Sequence, residues 1–180
     1  SLGQTGINGR PHAEYNAIKS CKYNLKDAKM YVSLEPCTHY GKTPPCSNLI
    51  IKSKIKEVIF SITDIDKRTQ SKSFKVFKEK NIKVKSGLLK NEANKIYKSY
   101  IYNKNKKLPF VTGKLAVSKD NFIFSKNKKR ITNHYSDNIT QLLRYKNDTI
   151  LISSKTLNID NPKLDCRIEG LSKHSPRRVI

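Results

Sequence analysis

Two short stretches constrain this chain more than any others: Pro11–Glu14, PHAE, and Tyr31–Cys46, YVSLEPCTHYGKTPPC. Between them they supply a histidine, two cysteines and a free carboxylate. Soft thiolates with a borderline imidazole suit zinc in a tetrahedral shell, and His12, Cys37 and Cys46 are the candidate ligands. Three protein ligands leave a fourth position for water, the arrangement of a catalytic site; a structural site usually takes four. His39 is the nearest possible fourth ligand, but a closed shell would leave Glu14 without a role. Glu14 lies two residues beyond His12, near enough to reach a water at the metal without binding the metal itself.

Zinc lowers the pKa of its water to about 7, and a neighbouring carboxylate can then carry the proton to a leaving amine. His-x-Glu, then Pro-Cys, then a later Cys is the order found in zinc deaminases, with the Glu as general acid and base. Here the pieces are His12-Ala13-Glu14, Pro36-Cys37 and Pro45-Cys46. Singly each is weak, since a cysteine is often a small buried residue. Together and in order they are specific. Nucleic-acid and nucleoside deaminases commonly place two residues between the cysteines. This chain has eight, Thr38–Pro45, including His39 and Lys42 on a loop stiffened by Gly41 and two prolines. A cation facing the pocket suits an anionic substrate, phosphate above all. Taken alone, Lys42 reads equally well as a solvated loop residue.

The length of 180 residues suggests one domain or one and a part. The chain opens at Ser1 with no initiator Met and no signal peptide. No apolar run is long enough to span a membrane, and four cysteines do not make a disulfide framework. Cys21 and Cys166 read as ordinary thiols, and a reducing cytoplasm is the expected setting. The net charge of +23 invites a nucleic-acid reading, but lysine is scattered along the whole chain and forms no arm or stripe. The charge is expected to serve solubility, with no nucleic acid and no membrane as partner.

HAEYNAIKSCK predicts a helix from His12 to about Lys22, with Ala13, Ala17 and Cys21 inward. A helix N-terminus favours the Glu14 carboxylate. Strands are predicted at Lys29–Leu34, Glu57–Ile62 and Ile82–Lys85. Helices are expected from Pro45-Cys46 to about Ser53, over Ser73–Lys80, and from Leu88 to about Asn103. Alternating strand and helix implies α/β layers with at least partly parallel strands. NKNKK at Asn103–Lys107 reads as a linker, dividing the chain into 1–107 and 108–180. Beyond it the pattern predicts a strand over Phe110–Val117, a helix over Asn133–Lys146, a strand over Asp148–Ile152 and the entry to another strand at Pro176–Ile180.

At PHAE and Glu35–Cys46 the sequence closely resembles the bifunctional riboflavin-biosynthesis deaminase/reductase family, whose pattern is HAE followed by EPC-(S/T)-H-x-G-(K/R)-TPPC. The resemblance implies a cytidine-deaminase-like three-layer α/β/α domain over 1–107. It implies that His12, Cys37 and Cys46 hold Zn2+ and that Glu14 is catalytic. His39 and Lys42 would bind a phosphoribosylated diaminopyrimidine. Asp64-Ile65-Asp66 resembles the family's aspartate turn, with Lys67 where a proline is usual.

The likeness continues more thinly over 108–167, where the family has an NADPH-dependent reductase with a fold like dihydrofolate reductase. Lys114, Ala116, Ser118 and Asp120 match its K-x-A-x-S-L-D-G strand, while Lys119 and Asn121 depart from it. Arg130 stands where an aromatic is usual. By the match, Ala116, Thr156 and Asp160 contact the nicotinamide cofactor, and Arg144, Leu164 and Arg167 contact substrate. On residue type alone, Arg144 and Arg167 read as surface charges. The resemblance implies deamination followed by reduction of the ribosyl group, and a dimer or tetramer in the full-length protein. Against it the chain reads as an internal fragment, most of the deaminase and about the first third of the reductase. A nucleoside or tRNA deaminase, a zinc module without activity, and a deaminase whose second half has lost reduction remain as rivals.

Overall fold

The apolar run EVIFSI, Glu57–Ile62, forms the middle strand of a three-stranded parallel sheet and is buried along nearly its whole length. A strand covered on both faces has no reason to alternate polar and apolar residues, and this one hardly does. The computed structural model describes residues 1–123 and 131–180; Arg130 falls outside them. The described chain divides into two units, Ser1–Val111 and Thr112–Ile180.

In the first unit a 3-10 turn at Ile7–Gly9 precedes α1 (Ala13–Ser20), β1 (Lys29–Leu34), α2 (Cys46–Lys52), β2 (Glu57–Ile62), α3 (Lys72–Lys78), β3 (Lys83–Ser86), α4 (Lys90–Ile96) and α5 (Lys98–Lys106). β1 and β3 flank β2, both parallel to it. The register sets Met30 beside Val58, Val32 beside Phe60, and Val58 beside Val84. That face packs against Ile50 of α2, Phe77 of α3, Ile55 and Ile82, with Ile18 of α1 and Phe74 at the margin. Phe60 and Phe74 meet edge to face, centroids 5.1 Å apart. α4 contacts β2, and Tyr97, just beyond it, reaches the opposite sheet face, where its hydroxyl lies 2.7 Å from Ser33 Oγ. Helices thus cover both faces, and the three-layer arrangement expected from the sequence is present.

The single helix expected from Leu88 to Asn103 is two helices. The break is at Tyr97, whose backbone leaves helical geometry at φ −90° and ψ 9°. Its side chain is tied to Ser33 on β1 and stacks edge to face on Tyr100, contacts a sequence period does not reveal.

The second unit holds α6 (His134–Lys146), β4 (Thr149–Leu151), α7 (Ser154–Asp160) and β5 (Arg177–Val179). The Asn133 side chain caps α6 by accepting from the Ser136 N–H at 3.2 Å, and Ser153 caps α7 in the same way through Thr156 N–H. β4 and β5 pair in parallel. The strand expected over Phe110–Val117 is absent: the segment has no regular secondary structure and no ladder partner among the described residues. A strand needs a neighbour to satisfy its backbone, whatever its residue pattern.

An ion cluster ties the loop after β2 to α5. Asp66 Oδ2 accepts from Arg68 Nη2 at 2.7 Å and from Lys104 Nζ at 2.9 Å, while Oδ1 accepts from Arg68 Nε at 3.0 Å. Arg68, through side chain and backbone, and then Lys104 hold the Asp66 carboxyl well below the ordinary carboxylate range. An acid with a lowered pKa stabilises the fold above its unfolded value, about 3.9, and loses that contribution as pH falls towards the folded value. Arg68 is 61% exposed, so solvent keeps the contribution modest. The difference in urea midpoint between wild type and Asp66→Asn is therefore expected to be flat from pH 7 to 5 and to shrink below pH 4. A difference independent of pH would mean that the cluster contributes nothing through charge.

Candidate metal centre

Parallel pairing sends the C-terminal ends of β1 and β2 to one edge of the sheet, the usual location for ligands in such folds. Leu34 lies opposite Ile62, and Glu35 N–H donates to Ile62 O at 2.9 Å. Two loops leave from this edge, residues 35–45 and 63–71. The first runs into α2. His12 is the residue before α1, and Cys46 is the first residue of α2, behind Pro45.

This layout gathers the three predicted ligands. His12 Nδ1 lies 3.3 Å from Cys46 Sγ and 3.5 Å from Cys37 Sγ. Together the three donor atoms fall within 4.8 Å of one another and form a group able to hold a metal ion. Tetrahedral zinc with bonds of about 2.0–2.3 Å requires edges of roughly 3.5 Å, so both the donor set and its spacing fit zinc. Cys46 N–H donates to Cys37 Sγ at 3.2 Å, and Ser47 N–H to the Cys37 carbonyl at 3.1 Å. Hydrogen bonding from the Cys46 thiol, helped by His12 and the Cys46 N–H, lowers Cys37 to about 4. The same thiol–thiolate bond, with burial, pushes Cys46 up. Where the pair shares one proton, the charge rests on Cys37. Glu14, in the first turn of α1, is 8% exposed. Burial, the largest influence, raises its pKa, while its own backbone hydrogen bond and the nearby His12 pull the other way.

The remaining predicted deaminase residues lie on the loop before α2. His39 is half-buried, with Nδ1 3.0 Å from Thr69 Oγ1. Lys42 is exposed beside Gly41. Arg10, not singled out from the sequence, lies against this turn: a β-carbon at Gly41 would sit 3.4 Å from its Nη2.

Sequence reasoning also missed the role of Glu35. It is 3% exposed. Its Oε1 accepts from Ser73 Oγ at 2.6 Å and Ser73 N at 3.1 Å, and its Oε2 from Ser71 N at 3.0 Å and Asp64 N at 3.1 Å. One carboxylate thus pins both ends of the second loop to the strand that leads to Cys37. Asp64 in turn accepts from Tyr100 Oη at 2.7 Å. The only local signals were a Glu at a strand end and two serines where a helix begins.

In the second unit, Arg144 Nη1 donates to Asp165 O at 3.0 Å, and Arg167 N–H to Gln141 Oε1 at 2.9 Å. Leu164 is 7% exposed. Burial and then the neighbouring Arg167 lower the pKa of Arg144, and its Nε is buried without a hydrogen-bond partner among the described residues. Arg144 is thus partly buried, contrary to the surface charge its residue type suggests. Arg167 is exposed. Ala116, Thr156 and Asp160 are joined by no hydrogen bond, and Thr156 is engaged with Ser153 through both N–H and hydroxyl at 3.1 Å.

Residues 3–62 match the zinc-binding region of cytidine and deoxycytidylate deaminases. The riboflavin biosynthesis protein RibD of Bacillus amyloliquefaciens is 38% identical over 96% of this chain and 47% of its own length. Its Escherichia coli counterpart is 31% identical over 93% and 46%. Among solved structures, a diaminohydroxyphosphoribosylaminopyrimidine deaminase/5-amino-6-(5-phosphoribosylamino)uracil reductase from Thermotoga maritima superposes with a TM-score of 0.86 at 36% identity, covering 96% of this chain and 50% of that one. This chain belongs to the riboflavin-biosynthesis deaminase/reductase family. Its fold is the cytidine-deaminase-like α/β fold of that family, and its first unit carries the zinc-binding deaminase region. The chain spans about half the length of the curated relatives it matches. Among the described residues no helix is long and apolar enough to cross a membrane.

Glu35→Gln would set an amide NH2 among N–H donors and remove charge from four hydrogen bonds. It is expected to lower unfolding free energy by about 2–3 kcal/mol in urea titrations. A loss below about 0.5 kcal/mol would show that the loop holds without the carboxylate.

Proposed function

We propose that this chain carries the deaminase step of riboflavin synthesis, hydrolytic removal of the amino group from 2,5-diamino-6-hydroxy-4-(5-phosphoribosylamino)pyrimidine. The observation that carries this reading is the His12, Cys37 and Cys46 group at tetrahedral spacing, with the buried carboxylate of Glu14 two residues from His12. Those three residues would hold zinc, which when bound supplies a Lewis acid able to acidify water near neutral pH. Glu14 accepts the proton of the attacking water and delivers it to the departing nitrogen as ammonia leaves. A pKa raised by burial suits both halves of that exchange. His39 hydrogen-bonds the substrate and fixes its orientation. Lys42, with Arg10 beside the same turn, offers positive charge to the ribose phosphate.

The second unit is read, on the sequence match, as the opening part of the NADPH-dependent reductase half, with the domain boundary near residue 107. Arg144, Leu164 and Arg167 would face the phosphoribosyl substrate, and Ala116, Thr156 and Asp160 the cofactor. A partly buried guanidinium, Arg144, with the exposed one of Arg167 near it suits an anionic group. A dimer or tetramer in a reducing cytoplasm completes the reading, and the paired thiols favour that compartment. A nucleoside or tRNA deaminase is the second reading. The general His-x-Glu and Cys pattern supports it, and the eight-residue loop between the cysteines counts against it.

The test is ammonia release by the zinc-loaded chain offered the phosphoribosylated diaminopyrimidine, cytidine or tRNA. Release is expected with the first alone. Glu14→Gln should lower kcat by about 10²–10⁴-fold while retaining one zinc per chain. Turnover of cytidine or tRNA in place of the pyrimidine would establish the second reading.

A further inference from the structure

Thr69 lies thirty residues from His39 in sequence, on the loop after β2, yet its Oγ1 sits 3.0 Å from His39 Nδ1. Thr69 is 0% exposed, and among the described residues its hydroxyl has no other hydrogen-bond partner. A hydroxyl has one hydrogen to give and two lone pairs to offer. A buried donor left unpaired is costly, whereas a spare lone pair is tolerated more easily. With one partner available, the hydroxyl hydrogen goes to Nδ1. In the neutral ring the remaining hydrogen is then on Nε2. Nε2 has no protein hydrogen-bond partner among the described residues, and His39 is only half-buried.

The backbone that carries Thr69 is also fixed. Thr69 N–H donates to Asp66 O at 2.8 Å, and Lys72 N–H to Thr69 O at 2.8 Å. Glu35 holds the loop at Asp64 on one side and at Ser71 and Ser73 on the other. The hydroxyl is thus presented to His39 by the strand end that also leads to Cys37.

We propose that Thr69 is the positioning residue for His39, holding its ring in the Nε2–H form so that it presents a hydrogen-bond donor to an acceptor oxygen of the substrate. The substrate half of this assignment rests on the deaminase reading above. Nothing about residue 69 in the sequence marked it, because its partner is on another loop.

Two measurements on the zinc-loaded full chain test the proposal. Long-range proton–nitrogen spectra with 15N-labelled histidine, at mildly alkaline pH, report the tautomer; the His39 signal is the one lost in His39→Gln. Wild type and Thr69→Ser are expected to carry hydrogen on Nε2 alone, and Thr69→Val to show both tautomers. In ammonia-release kinetics Thr69→Val is expected to raise KM about fivefold to tenfold, with kcat within about twofold, and Thr69→Ser to restore KM. A wild-type His39 with hydrogen on Nδ1 would overturn the proposal. So would a Thr69→Val protein with unchanged tautomer and KM, or a Thr69→Ser protein that behaves like Thr69→Val. Should Thr69→Val not fold, the wild-type tautomer and Thr69→Ser decide the matter. If wild type releases no ammonia, the deaminase reading falls, and the tautomer spectra still decide whether Thr69 sets the His39 ring.

Discussion

The parallel pairing of β1 with β2 is the constraint on which the site depends. It brings Leu34 and Ile62 side by side and so delivers two loops to one edge. A hairpin between the same strands would send them to opposite ends. Once the loops share an edge, Glu35 can bridge them, and its carboxylate reaches Asp64, Ser71 and Ser73 from the base of the other loop. Ordering a surface loop costs about 1–2 kcal/mol per residue in backbone entropy. Four hydrogen bonds to a buried charge are the kind of interaction that can offset part of that cost.

The local parts of this fold were legible in the sequence, and the long-range parts were not. EVIFSI reads as a buried strand because its composition leaves little else, and the strand spans Glu57–Ile62 as expected. His12, Cys37 and Cys46 were readable because metal chemistry restricts residue type and order, and the structure brings their donor atoms together. The break at Tyr97 follows from a hydroxyl contact with Ser33, sixty-four residues away. Thr69 and Glu35 act across thirty residues or more. The segment from Phe110 to Val117 shows the converse error: a strand-like pattern cannot make a strand without a neighbour to pair with.

The charge imbalance shapes how the acids are used. With 14 acidic against 37 basic residues, a carboxylate is a scarce group. Glu57 on β2 sits between Lys29 at 3.1 Å and Lys85 at 2.9 Å, one from each flanking strand. Asp66 is shared between Arg68 and Lys104. In each case one negative side chain relieves repulsion between two positive ones while joining separate elements. Surface pairs of this kind contribute little one at a time; here they lie where a strand or a loop has to be held in register.

The hydrogen bond from Cys46 N–H to Cys37 Sγ makes the two sulfurs unequal. A donor directed at a thiolate draws electron density toward itself, so Cys37 gives less of its charge to whatever it coordinates, and Cys46 receives no such backbone donor among the described residues. Outer contacts of this sort tune a metal's electron affinity as much as the ligands do. A metal held by these residues would therefore meet one weaker and one stronger sulfur donor, a difference set by one backbone amide at the start of α2.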